Sequence, residues 1–313
     1  MIAATAPGKI ILFGEHAVVY GRPALAAPIH HLRARATIEE TGAPDVTLTA
    51  PDLNRTARLS DVNPHNPLAA TVRAVERYCD CSLSEGYLLS VTSAIPIASG
   101  LGSGAAISVA IIRALAAYMG QSEMFTREVV SALAYEVERL HHGTPSGIDN
   151  TVIAFEQPVY FVRRDPQPAI EPFTLGRPLR LLIADTGVRS ATKDVVGDVR
   201  RQWLADTARF DAIFDACGRI AEAGRSALAA GDLALVGALM NENHEWLVRM
   251  TVSAAPLDKL VAAARDGGAL GAKLSGAGRG GNMIALVASE TEAAVAECLA
   301  AAGAIRVYKS DVG

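Results

Sequence analysis

The sequence contains three glycine-bearing segments, and the first has the composition of a phosphate cradle. It runs from Pro96 to Ala106 and reads Pro-Ile-Ala-Ser-Gly-Leu-Gly-Ser-Gly-Ala-Ala. Glycines let the backbone approach a ligand closely, and N–H groups that enter a helix bind anions. No Gly-Lys-Ser or Gly-Lys-Thr closes the segment, so it is not a Walker A motif. Taken alone, it fits a phosphate loop and a tightly packed turn equally well.

The second segment, 273–281, reads Lys-Leu-Ser-Gly-Ala-Gly-Arg-Gly-Gly. A hairpin turn needs only one or two glycines, whereas this segment has four within six positions. That density predicts close approach to a ligand or to the first glycine segment. A flexible loop tip is the other interpretation.

Two carboxylates and a lysine are candidates for catalytic chemistry. Asp149 lies in the third glycine-bearing segment, His-Gly-Thr-Pro-Ser-Gly-Ile-Asp-Asn over 142–150, where a rigid turn could hold a general base. It could equally cap the next helix. Glu138 precedes this segment near a predicted helix end, where negative charge opposes the helix dipole, so a metal ion or Arg139 should compensate it. Lys9 begins an apolar strand and needs an anion nearby.

Composition limits the classes of partner. The chain of 313 residues has 50% hydrophobic and 20% charged residues, and 29 Lys plus Arg against 33 Asp plus Glu give a net charge of −4. This balance supplies no basic field for nucleic acid or an anionic membrane, so a bound phosphate must be held by a local site. The uncharged stretch 87–112 is interrupted by Pro96 and Gly100, which excludes a membrane span. Four cysteines without zinc-ligand spacing and the absence of a signal-peptide pattern predict a cytoplasmic protein.

Hydrophobic periodicity predicts the elements that carry these segments. In the first half we expect strands over 9–13, 32–39, 87–94 and 159–162, and helices over 67–78, 105–119 and 126–141. A proline-dense run over 163–178 marks the domain boundary, which gives domains 1–170 and 171–313. In the second half we expect strands over 179–184, 269–274, 283–287 and 305–309, and helices over 194–216, 220–230, 233–250, 256–266 and 291–301. Without a regular βαβ repeat, the fold class is α+β.

Together these segments resemble the superfamily of galactokinases, homoserine kinases, mevalonate kinases and phosphomevalonate kinases. The resemblance is strongest to the mevalonate kinases. It rests on Pro-Gly-Lys at 7–9, Gly-Glu-His at 14–16, both glycine segments and Asp149, in the order of the family. Galactokinases would have Arg at position 9 and an Asp-Tyr pair after Gly-Glu-His, where this chain has Ala17, Val18 and Val19. Homoserine kinases lack the aspartate.

The resemblance implies ATP-dependent phosphorylation of mevalonate at its 5-hydroxyl. Asp149 would take the proton from that hydroxyl or orient it, and Lys9 would stabilise charge on the hydroxyl or on the transferring group. Glu138 would ligate Mg²⁺. The acceptor site would be lined by Glu15, His16 and Thr192 together with Asp149. The nucleotide-binding positions would be Pro96, Ser99, Gly100, Leu101, Gly102, Ser103, Gly104, Ala105, Ala106, Gly276 and Gly278.

The resemblance also implies a two-domain fold and a homodimer. The N-terminal domain would resemble domain 2 of ribosomal protein S5, the C-terminal domain would be ferredoxin-like, and the nucleotide would lie between them. One position departs from the family. The second serine of Gly-Leu-Gly-Ser-Ser, a metal ligand in mevalonate kinases, is Gly104 here. Ser103 or water would then complete the magnesium shell.

Two alternatives stay open from the sequence. One is a kinase of the same superfamily acting on another small alcohol, either phosphomevalonate or a sugar. A phosphorylated acceptor would need additional cations, for which Arg189, Lys193 and Arg279 are candidates. The other is a nucleotide-binding regulator without turnover.

Overall fold

The computed structural model describes residues 1–83, 86–96, 100–142, 145–165 and 167–313. The chain forms two compact units. The first unit comprises 1–8, 30–97 and 102–156, and the second comprises 9–29, 98–101 and 157–313. The predicted boundary near residue 170 stays a prediction.

The first unit combines strands with a cluster of helices. In chain order the elements are β1 (Ile2–Phe13), β2 (Pro23–Glu40), β3 (Thr47–Ala50), β4 (Arg55–Arg58), α1 (Pro67–Cys79), β5 (Tyr87–Ser93), α2 (Ser103–Tyr118), α3 (Arg127–His142) and α4 (Ile148–Phe155). Residues 9–13 of β1 and 23–29 of β2 belong to the second unit. Within this unit β5 pairs antiparallel with residues 34–40 of β2 and parallel with β3, which pairs with β4. Helix α2 packs against α1 and α3, and α3 packs against α4.

Local sequence explains where these helices start. The Asn66 side chain accepts hydrogen bonds from the amides of Leu68 (3.0 Å) and Ala69 (3.4 Å), and Pro67 fills the first helical position of α1, as predicted. Helix α2 is apolar on most of its surface and is buried along most of its length. The uncharged stretch 87–112 therefore contributes a strand and a buried helix. Among the described helices, none is both long and apolar enough to cross a membrane.

The second unit contains a separate antiparallel sheet covered by helices. Its elements are β6 (Val159–Val162), β7 (Ala169–Pro172), β8 (Leu179–Asp185), α5 (Thr192–Ala205), α6 (Thr207–Ala230), α7 (Leu233–Arg249), α8 (Ala255–Asp266), β9 (Gly271–Ser275), β10 (Asn282–Leu286), α9 (Glu292–Ala301) and β11 (Arg306–Val312). Strand β6 pairs with residues 23–26 of β2 and with β7. The second sheet has the order β11-β8-β10-β9. Along the chain, the strands of this sheet and their helices follow the pattern strand, helices, two strands, helix, strand. This is the ferredoxin-like arrangement that we predicted.

The predicted helices 194–216 and 220–230 were wrong in their boundaries. The break falls at Asp206, which leaves helical geometry and accepts a hydrogen bond from the amide of Arg209 (3.1 Å) at the start of α6. Helix α6 then continues through Gly218. A helix-interior glycine is tolerated at about 1 kcal/mol, and here it leaves room for Arg22, whose Cγ would lie 3.2 Å from a Cβ at this position. Strands β3, β4 and β7 were missed because each has four residues and no clear alternation.

Candidate active site

One group of predicted site residues comes together within the second unit. The Lys9 amide donates a hydrogen bond to the carbonyl of Leu101 (2.9 Å). A Cβ at Gly276 would lie 3.8 Å from the carbonyl oxygen of Gly100, so the backbones of the two glycine segments lie close together. We call residues 9–16, 100–101 and 273–281 the loop junction. The predicted approach of the second glycine segment to the first is confirmed.

A serine hydroxyl ties β1 to β9 at the base of the junction. Ser275 Oγ accepts a hydrogen bond from the Ile11 amide (3.2 Å) and donates one to the Ile11 carbonyl (3.0 Å). Both residues are buried. One side chain therefore satisfies two backbone groups and fixes β1 beside the strand that leads into the second glycine segment.

The turn after β1 has a conformation that its sequence requires. Gly14 has φ +90°, and a Cβ there would collide with the backbone of Pro23 and Ala24, so a glycine is needed. His16 also has positive φ (58°). Its Nε2 lies 2.8 Å from the carbonyl oxygen of Ala277 in the second glycine segment. Burial lowers the pKa of His16 to about 4. The ring is therefore neutral near pH 7, and because a carbonyl only accepts, Nε2 carries the proton.

Next to His16, a buried ion pair joins this turn to β9. Lys273 Nζ pairs with Glu15 Oε1 and also donates to the carbonyl of Leu274 (2.7 Å). Both side chains are fully enclosed. Burial raises the pKa of Glu15 and lowers the pKa of Lys273, while the attraction between the two charges opposes both shifts.

The second glycine segment is tethered to neighbouring loops and is not a flexible tip. A Cβ at Gly278 would collide with the carbonyl of Val252, which also accepts a hydrogen bond from the Arg279 amide (2.7 Å). The Arg279 side chain pairs with Asp198 and donates to the carbonyl of Thr251 (3.1 Å). Arg279 itself has φ 55°, so these contacts hold a non-glycine residue in the left-handed region.

Predicted acidic residues lie in the first unit, on helices that pack together. Helix α2 begins at Ser103 after Gly102, whose φ is +76°. Gly104 is exposed, whereas Ala105 and Ala106 are buried. A Cβ at Gly104 would lie 3.2 Å from Oε1 of Glu138, which is half-buried on α3. The position where mevalonate kinases have their second serine therefore faces the carboxylate that we predicted as a metal ligand.

Asp149 lies half-buried in the first turn of α4. The cap position is held by Gly147 (φ +91°), so the alternative that Asp149 caps this helix does not apply. The next residue anchors the helix, because Asn150 Nδ2 donates to the carbonyl (3.0 Å) and hydroxyl (2.9 Å) of Ser131 on α3. Thr151 Oγ1 closes the turn on the Gly147 carbonyl (2.7 Å). We call Ser103, Gly104, Glu138 and Asp149 the acidic helix group.

The other predicted residues are distributed as follows. Thr192 is exposed at the start of α5, and Pro96 is half-buried after β5. Ser99 lies outside the described residues, as do Gly143 and Thr144 of the third segment. Within the described part of the chain, no three His, Cys, Asp or Glu side chains cluster as a ready-made metal site. Lys9 belongs to the second unit and Asp149 to the first, and their convergence on one reacting atom stays a prediction.

Comparison with known proteins identifies the family. The sequence-family model of the GHMP kinases N terminal domain matches residues 67–157, and that of the GHMP kinases C terminal domain matches residues 225–305. The chain is 35% identical to the mevalonate kinase of Thermococcus sibiricus, over 98% of this chain and 95% of that protein. The chain belongs to the GHMP kinases. It is therefore an enzyme of ATP-dependent phosphoryl transfer, as the resemblance predicted.

Solved structures of GHMP kinases share the fold. The crystal structure of L. major mevalonate kinase in complex with R-mevalonate has a TM-score of 0.84 and 30% identity, and the match covers 100% of this chain and 96% of that one. The Methanococcus jannaschii mevalonate kinase has a TM-score of 0.86 and 27% identity, with 99% and 98% covered. The predicted two-domain α+β class is confirmed.

Sequence reasoning missed several residues that position this GHMP kinase site. Lys273 was noted only as the first residue of the second glycine segment. A lysine inside an apolar strand indicates a buried anionic partner, and this signal was available in the sequence. Ser275 gave no sequence signal, because the Ile11 backbone groups that it binds are remote in the chain. Asn150 and Ser131 were also missed. The available signal for the Asn150–Ser131 contact was the side-chain amide of Asn150, directly after the candidate base Asp149.

Proposed function

We propose that this GHMP kinase transfers the γ-phosphoryl group of ATP to the 5-hydroxyl of (R)-mevalonate, giving 5-phosphomevalonate and ADP. The observation that carries the proposal is the similarity over nearly the whole chain to curated mevalonate kinases, 35% identity in the Thermococcus sibiricus protein. A structure with R-mevalonate bound, at 30% identity and full coverage, supports the same acceptor.

Asp149 and Lys9 are the catalytic residues in this proposal. Asp149 accepts the proton of the acceptor hydroxyl or orients it, which suits a carboxylate held at a helix start and left partly exposed. Lys9 stabilises charge that develops on the transferring group. Its side chain is buried and its backbone is fixed to Leu101, so the ammonium group is held with little freedom.

The two glycine segments hold the triphosphate of ATP. Gly100 to Ala106 leads into α2, so backbone N–H groups at the start of that helix face the phosphates. The second segment, including Gly276 and Gly278, supports the first where it lies close to Gly100. Phosphoryl transfer depends mainly on positioning and on neutralising charge, and a tethered pair of loops supplies the first requirement.

Magnesium is the metal that this site fits. Glu138 offers a carboxylate beside the start of α2, with the exposed Gly104 leaving space in front of it. Oxygen donors with room for water suit Mg²⁺, which usually keeps several waters. Glu138, with Ser103, would hold the ion, which supplies charge neutralisation at the phosphates when bound.

His16 and Thr192 line the acceptor site in this proposal. A phosphate already present on the acceptor is disfavoured, because two of the candidate cations are already paired. Arg279 binds Asp198, and Arg189 lies 3.5 Å from the buried Asp185. The acceptor therefore meets little unpaired positive charge from these residues, which fits mevalonate better than phosphomevalonate.

The test measures ADP release from ATP and Mg²⁺ with a panel of acceptors: mevalonate, phosphomevalonate, galactose and homoserine. We expect turnover with mevalonate to exceed that with the others by at least about 10²-fold in kcat/KM. Phosphorus NMR should place the product phosphate on the primary 5-hydroxyl. Turnover of phosphomevalonate above mevalonate would overturn the proposed acceptor, and ADP release with none of them would favour a regulator.

A cytoplasmic homodimer stays a prediction. Multi-angle light scattering of the purified chain would give twice the monomer mass of 32.7 kDa. A single-chain mass at enzyme concentrations used in assays would contradict it.

A further inference from the structure

Glu15 is enclosed in a way that leaves no surface for an acceptor to touch. Its side chain has no exposed area, and neither has that of Lys273, with which it pairs. The resemblance implies that Glu15 lines the acceptor site. A carboxylate with this burial affects the acceptor only by fixing its neighbours.

The carboxylate depends on Lys273. Oε1 receives the lysine, while Oε2 is buried and has no hydrogen-bond partner among the described residues. The other nearby cation is Lys9, which acts on the Glu15 charge through space, and the buried Cys217 thiol lies close to both members of the pair. A buried ion pair is a poor source of net stability, because desolvation offsets much of the attraction, so net stability alone does not account for this pair.

The Glu15–Lys273 pair and the neighbouring contact of His16 with Ala277 join the same two segments. Glu15 and His16 are consecutive in the turn after β1. Their partners, Lys273 and Ala277, are four positions apart in the second glycine segment. That segment lies close to Gly100 of the first glycine segment. Any displacement of the turn is therefore transmitted to the backbone that we propose to hold ATP.

We propose that Glu15 and Lys273 form a positioning pair that sets the register between the Gly14–His16 turn and the second glycine segment. Glu15 acts without touching the acceptor. This inference rests on the proposed function, because it assigns the turn to the acceptor and the glycine segments to the nucleotide. It predicts that breaking the pair impairs both substrates together.

The test is a double-mutant cycle on the full chain, with Glu15→Gln, Lys273→Met and the double variant. KM for mevalonate and for ATP, kcat and thermal unfolding are measured for each. We expect each single variant to lose about 10²-fold in kcat/KM for both substrates, because displacement of a site by about 1 Å has that effect. The double variant should recover to within about tenfold of wild type, since glutamine and methionine fill similar volumes and leave no buried charge unpaired. Lys309→Met, which breaks the pair of this exposed lysine with the half-buried Glu292, is the matched control and should change neither KM.

The outcomes separate the explanations. If Glu15 contacts mevalonate directly, the double variant keeps a raised KM for mevalonate with an unchanged KM for ATP, which overturns the proposal. If the pair is only structural, unfolding temperatures fall while both KM values stay at wild type, which also overturns it. If the single variants do not fold, the double variant alone decides. Two KM values that change together support the proposal, and a raised KM for mevalonate alone contradicts it. Failure of wild type to phosphorylate mevalonate would reject the proposed function instead.

Discussion

The loop junction and the acidic helix group differ in how far their charged side chains are buried. In the junction, Lys9, Glu15, His16 and Lys273 are at most 7% exposed, and the last three contact neighbouring backbone or each other. In the acidic helix group, Glu138 and Asp149 stay half-buried at helix positions beside glycines. Burial with partners fixes position, whereas partial exposure keeps a carboxylate available to a ligand. We therefore expect substitutions in the helix group to alter chemistry, and substitutions in the junction to alter geometry and stability as well.

The largest effect is expected from Asp149→Asn. Loss of the general base should reduce kcat by about 10²–10⁴-fold with little change in KM for ATP. Stability should change little, because Asp149 is not the cap of α4. Asp232→Asn is the matched control, since Asp232 caps α7 through the Leu235 amide (3.0 Å), and asparagine caps nearly as well. Turnover of Asp149→Asn near that of wild type would remove Asp149 from the mechanism.

Lys9→Met tests whether a junction residue also takes part in chemistry. Removing the ammonium group should lower kcat by about 10²-fold, because charge on the transferring group loses its stabilisation. Steady-state kinetics and unfolding are measured together, with the exposed Lys259→Met on α8 as the control. Unchanged kcat with reduced stability would make Lys9 structural and would place the whole junction outside the chemical step.

Gly104→Ser tests the proposed role of Glu138 as a ligand of Mg²⁺. The new Cβ would lie 3.2 Å from Glu138 Oε1, close enough to need a shift of that flexible side chain. The hydroxyl adds an oxygen donor beside the carboxylate, so the Mg²⁺ concentration for half-maximal activity should fall a few-fold. Gly104→Ala adds the Cβ alone and should not lower it. Equal behaviour of the two variants would argue against a metal at this position.

The smallest effect is expected in the pH dependence of stability. Burial lowers the pKa of His16 and of His244 to about 4, from an ordinary 6.5. The unfolded chain therefore binds more protons between these values, and stability falls as the pH drops from 6.5 towards 4. From pH 6.5 to 5.5 each histidine should remove about 1 kcal/mol from the free energy of unfolding.

Urea unfolding at a series of pH values measures this slope. His244→Gln should remove that histidine's share, whereas substitution of the exposed His65 by glutamine should leave the slope unchanged. A slope that does not respond to His244→Gln would show that this histidine has the same pKa in the folded and in the unfolded chain.

Local signals in the sequence predicted much of the fold. The Asn66-Pro67 pair gave the start of α1, and β6 was predicted at 159–162, where it lies. The α5–α6 break at Asp206 was missed because the apolar pattern continues on both sides of it, and only the cap on Arg209 reveals it.

The candidate site was predicted less completely. Glycine density predicted that the second segment approaches the first or a ligand, and the short separation of Gly276 and Gly100 confirms the approach to the first segment. The partner of Glu15 is Lys273, 258 positions away, and no local pattern encodes a contact over that separation. The convergence of Lys9 and Asp149 depends on the same kind of long-range placement and stays a prediction.

The tethering of the second glycine segment has a consequence for nucleotide affinity. Val252, Thr251 and Asp198 already hold Gly278 and Arg279 in their left-handed backbone geometry before any ligand arrives. A loop that is ordered in advance loses little conformational entropy when it receives a phosphate chain, so more of the contact energy appears as binding. Freeing Arg279 from Asp198 should therefore weaken nucleotide binding mainly by an entropic penalty, which calorimetry would register as a less favourable entropy of association.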